Sequence, residues 1–328
     1  MPSGPSIANQ GRATLEALCR THGLVPRTDA PLCDHSTWRI GGPADILLEP
    51  VSWLQVGALL RCAEEYGIPA LVIGKGSNLL FADAGVRGMV IKIGRPLAGL
   101  SISGTTVRAE AGVSASRLAR AAGLAGLTGL EHIVGIPGTL GGLVVMNGGS
   151  LRRAIGEVIV EVKTVDRRGT CAVWARDDCE FAYRQSRFQR EDGVITDIVL
   201  ELTPGPRAEI MAEMRAILRE RRRRFPLTLP SCGSVFKSDV GLIEKVGPAG
   251  AVIEGLGFKG RRIGDAVVDS RHANFIVNVG AARARDVLEL VGLIRQTVQD
   301  ELGHTLTCEA KYVDEQARVY PVEQVLDR

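Results

Sequence analysis

The sequence predicts an α+β protein of more than one domain, and three observations carry that reading. Helix-period apolar patterns alternate with short apolar runs of strand length. A breaker cluster, Pro204-Gly205-Pro206, interrupts the pattern two thirds of the way along. Glycine, 39 of 328 residues, exceeds its usual share of roughly 7% and is crowded into a few loops that have the look of ligand-holding segments. A chain of 328 residues also has room for two or three cores without disulfide or metal staples.

Taken in order, residues 1–31 have mixed polarity and read as a loosely attached lead-in with a helix from Ala13 to His22. From Ser52 the period is helical, with Leu59, Leu60 and Ala63 on one side and Gly67 as the stop, and the strand Leu71-Val72-Ile73 follows. Met89–Ile93, Val107–Ala109, Val158–Val165 and Val194–Leu202 read as further strands, with helices around Ser116–Ala122 and at a glycine-rich segment near 140. After the breaker, Ile210, Met214, Ile217 and Leu218 lie at helical spacing, and Arg219 and Arg221–Arg224 suit the partial negative charge of a helix C-terminus. The last helix runs from Ala284 to Leu302, its apolar face formed by Val287, Leu290, Val291, Ile294 and Val298, with Gly303 as its cap. The C-terminal unit is therefore α/β.

Composition excludes several function classes. A net charge of +3 and a pI near 8.5 fall short of the basic footprint of a nucleic-acid binder, roughly pI 9 and above. The seven cysteines are odd in number, scattered and without a Cys-x-x-Cys pair, which points to reduced thiols in the cytoplasm. No apolar run approaches the ~18 residues of a membrane span, and no signal-peptide core opens the chain. The histidines lack ligand spacing, so no metal is expected, and no obligatory protein partner is indicated.

The most informative stretch is 135–149, GIPGTLGGLVVMNGG. Glycine lets backbone approach a ligand and permits positive φ, and successive amides in such turns form anion-holding concavities. A second small-residue loop, Gly74-Lys75-Gly76-Ser77-Asn78, follows the Leu71–Ile73 strand. It is not a dinucleotide fingerprint, because Leu79 stands where the third glycine belongs, and neither loop has the Walker lysine spacing. Two glycine loops able to hold one pyrophosphate between them imply a bound dinucleotide.

Together with Thr37-Trp38-Arg39-Ile40-Gly41-Gly42-Pro43-Ala44, these loops resemble the flavin-binding fold of the vanillyl-alcohol oxidase type. Within that fold the chain is similar to the UDP-N-acetylenolpyruvoylglucosamine reductases, also called UDP-N-acetylmuramate dehydrogenases (MurB). The resemblance runs from about Leu32 to Val313 and includes Tyr183-Arg184-x-Ser186-x-Phe188, Pro230-Ser231-x-Gly233-Ser234-Val235-Phe236-Lys237, and His272-Ala273-Asn274-Phe275. The short step from Phe188 to Val194 is similar to the subtype lacking an extra substrate-closing loop. It implies an FAD-binding region over 32–204, in two subdomains of about 32–94 and 95–204, and a substrate-binding α/β domain over 205–328.

The resemblance also implies chemistry. NADPH reduces non-covalent FAD, and the reduced flavin passes hydride to the enolpyruvyl ether of a UDP-sugar, giving UDP-N-acetylmuramate for peptidoglycan. By position, Arg184 matches the cation, Ser234 the proton donor and Glu309 the essential C-terminal carboxylate, which either stabilises positive character, holds Ser234 or is itself the donor. The cofactor would be met by Arg39, Gly74, Lys75, Gly76, Ser77, Asn78, Leu79, Gly135, Pro137, Gly138, Thr139, Gly141, Gly142 and Asn147. Substrate contacts fall to Tyr183, Arg221, Lys237, Ser238 and Asn274, with the guanidinium of Arg221 or a neighbour suited to the diphosphate. Cys232 and Cys308 read as small buried residues. Departures from the family at 148–153, Lys75, Ser238 and 239–247 leave open a related flavin oxidoreductase acting on another substrate.

Overall fold

The computed structural model describes residues 9–238 and 240–326, and the chain divides into two compact units. Neither is one continuous stretch. The first takes the chain up to residue 28 with 45–75 and 87–220, and the second takes 29–44, 76–86 and 221 onward.

Two main sheets and a two-stranded pair, Leu127–Thr128 with Thr203–Pro204, lie wholly or mostly in the first unit. In one, the strands run in the order Arg27–Pro31, Pro43–Leu48, Val86–Lys92, Ala70–Ile73, and the last two are parallel with Leu71 opposite Val90. The other is antiparallel, in the order Cys171–Ala175, Ile159–Val165, Val194–Glu201, Thr106–Glu110, Leu100–Ser103. Helix Trp53–Glu65 starts where Ser52 accepts the Gln55 N–H, and it buries Val56, Leu59, Leu60 and Ala63. Helix Ala115–Leu124 is capped in the same way by Ser114, and the glycine segment forms the short helix Leu140–Val145 behind Thr139.

One expectation is corrected here. Helix Asn9–His22 is not a loose lead-in: Leu15 and Cys19, four apart on one face, are 1% and 2% exposed, and Gln55 Nε2 donates to the His22 carbonyl at 2.9 Å. Polar residues outnumber apolar ones in it, but packing depends on the single apolar stripe.

The second unit holds two three-stranded sheets, ordered Val319–Pro321, Lys311–Val313, Leu79–Phe81 and Arg262–Ile263, Ala266–Val268, Ile276–Asn278. Helix Ala284–Leu302 buries the stripe from Val287 to Val298, and Gly303, at φ +61°, ends it in the left-handed region. The 36–42 segment belongs to this unit: Trp38 is fully buried and donates from Nε1 to the Ile276 carbonyl at 2.8 Å.

Asp83 supplies the N-terminal partner of that long helix. Its carboxylate accepts the Ala284 and Arg285 N–H groups at 2.7 and 3.3 Å, where helix amides otherwise lack acceptors and the helix dipole favours an anion. Asp83→Ala is expected to cost about 1 kcal/mol of unfolding free energy and Asp83→Asn clearly less. Urea titration of the three proteins checks this, and equal midpoints would dismiss the cap.

Candidate active site

The first unit presents Arg184 on a tight turn. Ala182 and Gln185 exchange both backbone hydrogen bonds, leaving Tyr183 and Arg184 as the two central residues. Arg184 has φ +54°, a left-handed conformation in which a turn of this kind ordinarily calls for glycine. The turn is held from three directions. Asn147 Nδ2 donates to the Ala182 carbonyl at 2.9 Å, Gln189 Nε2 donates to the Arg184 carbonyl at 2.9 Å, and Ser186 Oγ donates to the Val145 carbonyl at 2.7 Å. The Arg184 guanidinium lies 5.3 Å from the Tyr183 ring centre and donates to the Gly149 carbonyl at 3.3 Å.

The two glycine loops meet within this unit at Gly74, where an added Cβ would collide with Thr139 Oγ1. Their amides are used differently. In the 135–142 segment the N–H groups of Gly135, Ile136, Gly138, Leu140, Gly141 and Gly142 already donate to protein acceptors. This stretch therefore gives close backbone packing, with Gly141 against Ala111, rather than a run of open amides.

The second unit contains open amides. Among the described residues the N–H groups of Gly76, Ser77 and Asn78 have no acceptor, and Gly76 sits at φ +61° with no room for a Cβ beside the His35 carbonyl. Three consecutive amides in such a turn fit an anion of the pyrophosphate kind. Leu79 is taken into a strand, Lys75 is exposed, and Arg39 is exposed at φ +55° in the turn after Trp38.

The same unit gathers Ser234 and Glu309. Glu309 N–H donates to the Val235 carbonyl at 2.7 Å, and Lys237 N–H to the Thr307 carbonyl at 2.9 Å. Asn274, expected at the substrate, is 4% exposed and has a different visible task. Its Oδ1 accepts the Phe236 N–H and its Nδ2 donates to the Phe236 carbonyl, both at 2.9 Å. Asn78 Nδ2 in turn donates to the Glu309 carbonyl at 2.9 Å. Ser238 Oγ accepts the Ala249 N–H at the start of helix Ala249–Gly255, another structural use of a residue expected at substrate.

Electrostatics distinguish the remaining candidates. Burial pushes the Cys232 thiol up and the nearby Glu309 carboxylate adds to it, while burial and then Glu323 push the Cys308 thiol up. Both thiols stay protonated, which excludes ready nucleophiles. Lys311, two residues beyond Glu309, is held below the usual lysine range by burial and by Lys237, so both ammonium groups contribute to a positive field there. Arg221 is half-buried with its guanidinium 5.2 Å from the Phe225 ring centre, and burial lowers its pKa.

Comparison with known proteins decides the family. Residues 225–313 match the model described as UDP-N-acetylenolpyruvoylglucosamine reductase, C-terminal domain, and residues 44–173 match the FAD binding domain. The chain is 41% identical over 92% of its length to UDP-N-acetylenolpyruvoylglucosamine reductase 1 of Corynebacterium glutamicum, covering 90% of that protein. To reductase 2 of Symbiobacterium thermophilum it is 40% identical over 90% of its length and 94% of the relative's. The crystal structure of the Thermus caldophilus enzyme (MurB) superposes with a TM-score of 0.73 at 33% identity, over 88% of this chain and 98% of that one. The chain belongs to the UDP-N-acetylenolpyruvoylglucosamine reductase family.

Its fold is accordingly α+β, an FAD-binding region of the vanillyl-alcohol oxidase type with the reductase C-terminal domain. Within the reductase family frame, the sequence motifs pointed to Asn147 and Asn274 as ligand contacts, whereas the visible bonds of both go to backbone. The motifs gave no sign of Glu131 and His132, which precede the glycine segment and are 0% and 1% exposed. Burial opposes ionisation of Glu131, but hydrogen bonds from Thr128 and the Gly129 N–H, with the Arg153 charge, outweigh it and hold the carboxyl below its usual range. Burial, with Arg153 second, depresses the His132 imidazole to about 4.

Two measurements follow from this geometry. Because Arg184 is left-handed, Arg184→Gly should unfold later than Arg184→Ala, by about 1 kcal/mol, reversing the usual order of these two residues; urea midpoints in the other order would remove the strain. His132, with a folded pKa of about 4, stays neutral while the unfolded chain binds a proton near 6.5. Its contribution is whole above that pH and is lost as pH falls from 6.5 toward 4, about 3 kcal/mol in all. His132→Leu should flatten this part of the stability–pH curve, and a parallel curve would refute the assignment.

Proposed function

We infer that this chain is an FAD-dependent reductase that uses NADPH to reduce the enolpyruvyl ether of UDP-N-acetylglucosamine enolpyruvate to UDP-N-acetylmuramate, a step of peptidoglycan precursor synthesis. The observation that carries this is the match, over nine tenths of the chain, to relatives that bear the reductase name. Bound FAD supplies the hydride chemistry, taking hydride from NADPH and delivering it to the substrate alkene.

The protein's own groups then have separable tasks in this proposal. Hydride addition to the alkene puts negative charge on the enolpyruvyl carboxylate and leaves the neighbouring carbon in need of a proton. Arg184, a planar fork fixed on a clamped turn, holds that carboxylate. Ser234 Oγ gives the proton. A hydroxyl is a weak acid, so it serves only against a strongly basic carbon in a positive field, which Lys237 and Lys311 supply. Glu309, hydrogen-bonded through its backbone to the residue after Ser234, orients the donor. The open amides of Gly76, Ser77 and Asn78 take the FAD pyrophosphate, while Gly74 and the 135–142 glycines pack closely on one another at Thr139. Arg221 and its neighbours meet the UDP diphosphate, and Tyr183, 51% exposed, meets the sugar nucleotide. Seven free thiols and the absence, among described helices, of one long and apolar enough to cross a membrane fit a cytoplasmic enzyme.

Ser234→Ala tests the assignment. With oxygen excluded, NADPH should bleach the flavin of this variant at close to the parent rate, whereas its reoxidation by UDP-N-acetylglucosamine enolpyruvate should slow by at least about 100-fold. Normal reoxidation would remove Ser234 from proton transfer. A colourless protein unable to take up FAD would remove the flavin reading altogether.

A further inference from the structure

The stretch 150–153, Ser-Leu-Arg-Arg, is a tight turn in which the Arg153 N–H donates to the Ser150 carbonyl at 3.0 Å. Its two central residues, Leu151 and Arg152, have φ +57° and +62°. Two consecutive left-handed residues define a mirror-image turn that asparagine and glycine favour and that leucine and arginine resist. Such a conformation persists only where its surroundings over-determine it.

The surroundings do so through Arg153. Its guanidinium donates to the Gly129 carbonyl at 3.2 Å and pairs with the fully buried Glu131 at 3.8 Å and with Glu157 at 3.6 Å. Ser150 Oγ donates to the His132 carbonyl. Both ends of the turn are thus tied to the 129–132 segment. Immediately before it, Gly149 has no room for a Cβ against the Arg153 carbonyl, and the Gly149 carbonyl is the acceptor of Arg184 Nη2. The strained turn therefore fixes the direction of the oxygen that holds the Arg184 guanidinium.

We propose that Arg153, anchored on buried Glu131, is a positioning residue for Arg184, acting through the 149–153 turn and its Gly149 carbonyl. The inference rests on the reading of Arg184 as the group that meets the enolpyruvyl carboxylate. It adds a support that lies outside the motifs carrying that reading. Leu151 and Arg152 contribute backbone shape, so glycine at 152, which relieves a left-handed residue, keeps the device.

The test uses the FAD-loaded enzyme and measures three things: flavin reduction by NADPH, reoxidation by UDP-N-acetylglucosamine enolpyruvate, and the dissociation constant of that substrate from the oxidised enzyme. Arg153→Met should leave flavin reduction within twofold while slowing reoxidation about ten- to a hundredfold, the penalty of a small misplacement of a catalytic group. Its substrate dissociation constant should rise severalfold. Arg152→Gly should raise the melting temperature and leave both half-reactions within about twofold. In a double-mutant cycle, Arg153→Met should add almost nothing to Arg184→Ala, because both act through one guanidinium.

Reoxidation within twofold of the parent in Arg153→Met, equal losses in both half-reactions, or additive effects with Arg184→Ala would overturn the inference. If Arg184→Ala alone reoxidises normally, the reading of Arg184 fails and takes this inference with it. If Arg184→Ala is impaired and Arg153→Met is not, only the inference fails.

Discussion

Asparagine side chains bonded to backbone are the constraint on which the candidate site depends. Asn274 closes both of its amide bonds on Phe236, Asn78 reaches the Glu309 carbonyl, and Asn278 reaches the Trp38 carbonyl. Asn274 and Asn278 join segments that share no sheet ladder, and Asn78 adds a side-chain bond beside the ladder that pairs Leu79 with Lys311. A primary amide carries a donor and an acceptor together, so it can pair with a peptide group and satisfy both. Buried as Asn274 and Asn278 are, these bonds form in a setting where an unmade partner is costly, and the loops they hold have few alternatives.

A second theme is strain kept near charge. Arg39, Arg152 and Arg184 all adopt left-handed backbone conformations, and Asn147 does so as well. Asn147 tolerates it best among the four, because a short polar side chain can bond locally. For Arg184 the cost is offset by the bonds around it: the Asn147, Gln189 and Ser186 side chains fix a turn that would otherwise relax. The result is a long flexible cation whose backbone has little freedom left, which is what electrostatic stabilisation of a developing charge requires.

Burial also decides which reactive-looking groups are idle. Cys232 and Cys308 flank Ser234 and Glu309 in sequence, yet burial and neighbouring carboxylates keep their protons on. Lys311 is subject to the same burial, which together with the Lys237 charge holds its pKa below the usual lysine range. Burial in this region thus disfavours the charged forms of both thiols and of the Lys311 ammonium alike.

Local pattern was enough for much of this protein. The helices Trp53–Glu65 and Ala284–Leu302 and the strands through Val107, Val162 and Ile198 follow from apolar period and capping residues, because each is settled by neighbours within a turn or two. The motif order likewise carried the family and its cofactor. Only the tertiary structure decided which segments share a unit, with 29–44 and 76–86 joining the C-terminal chain. It also decided that Asn274 clamps a loop and that Leu151 and Arg152 are left-handed. The reason is physical: the Asn78–Glu309 bond spans 231 residues, and the conformation of Arg152 is imposed by the anchoring of Arg153 against its own preference, so neither is recorded in the residues nearby.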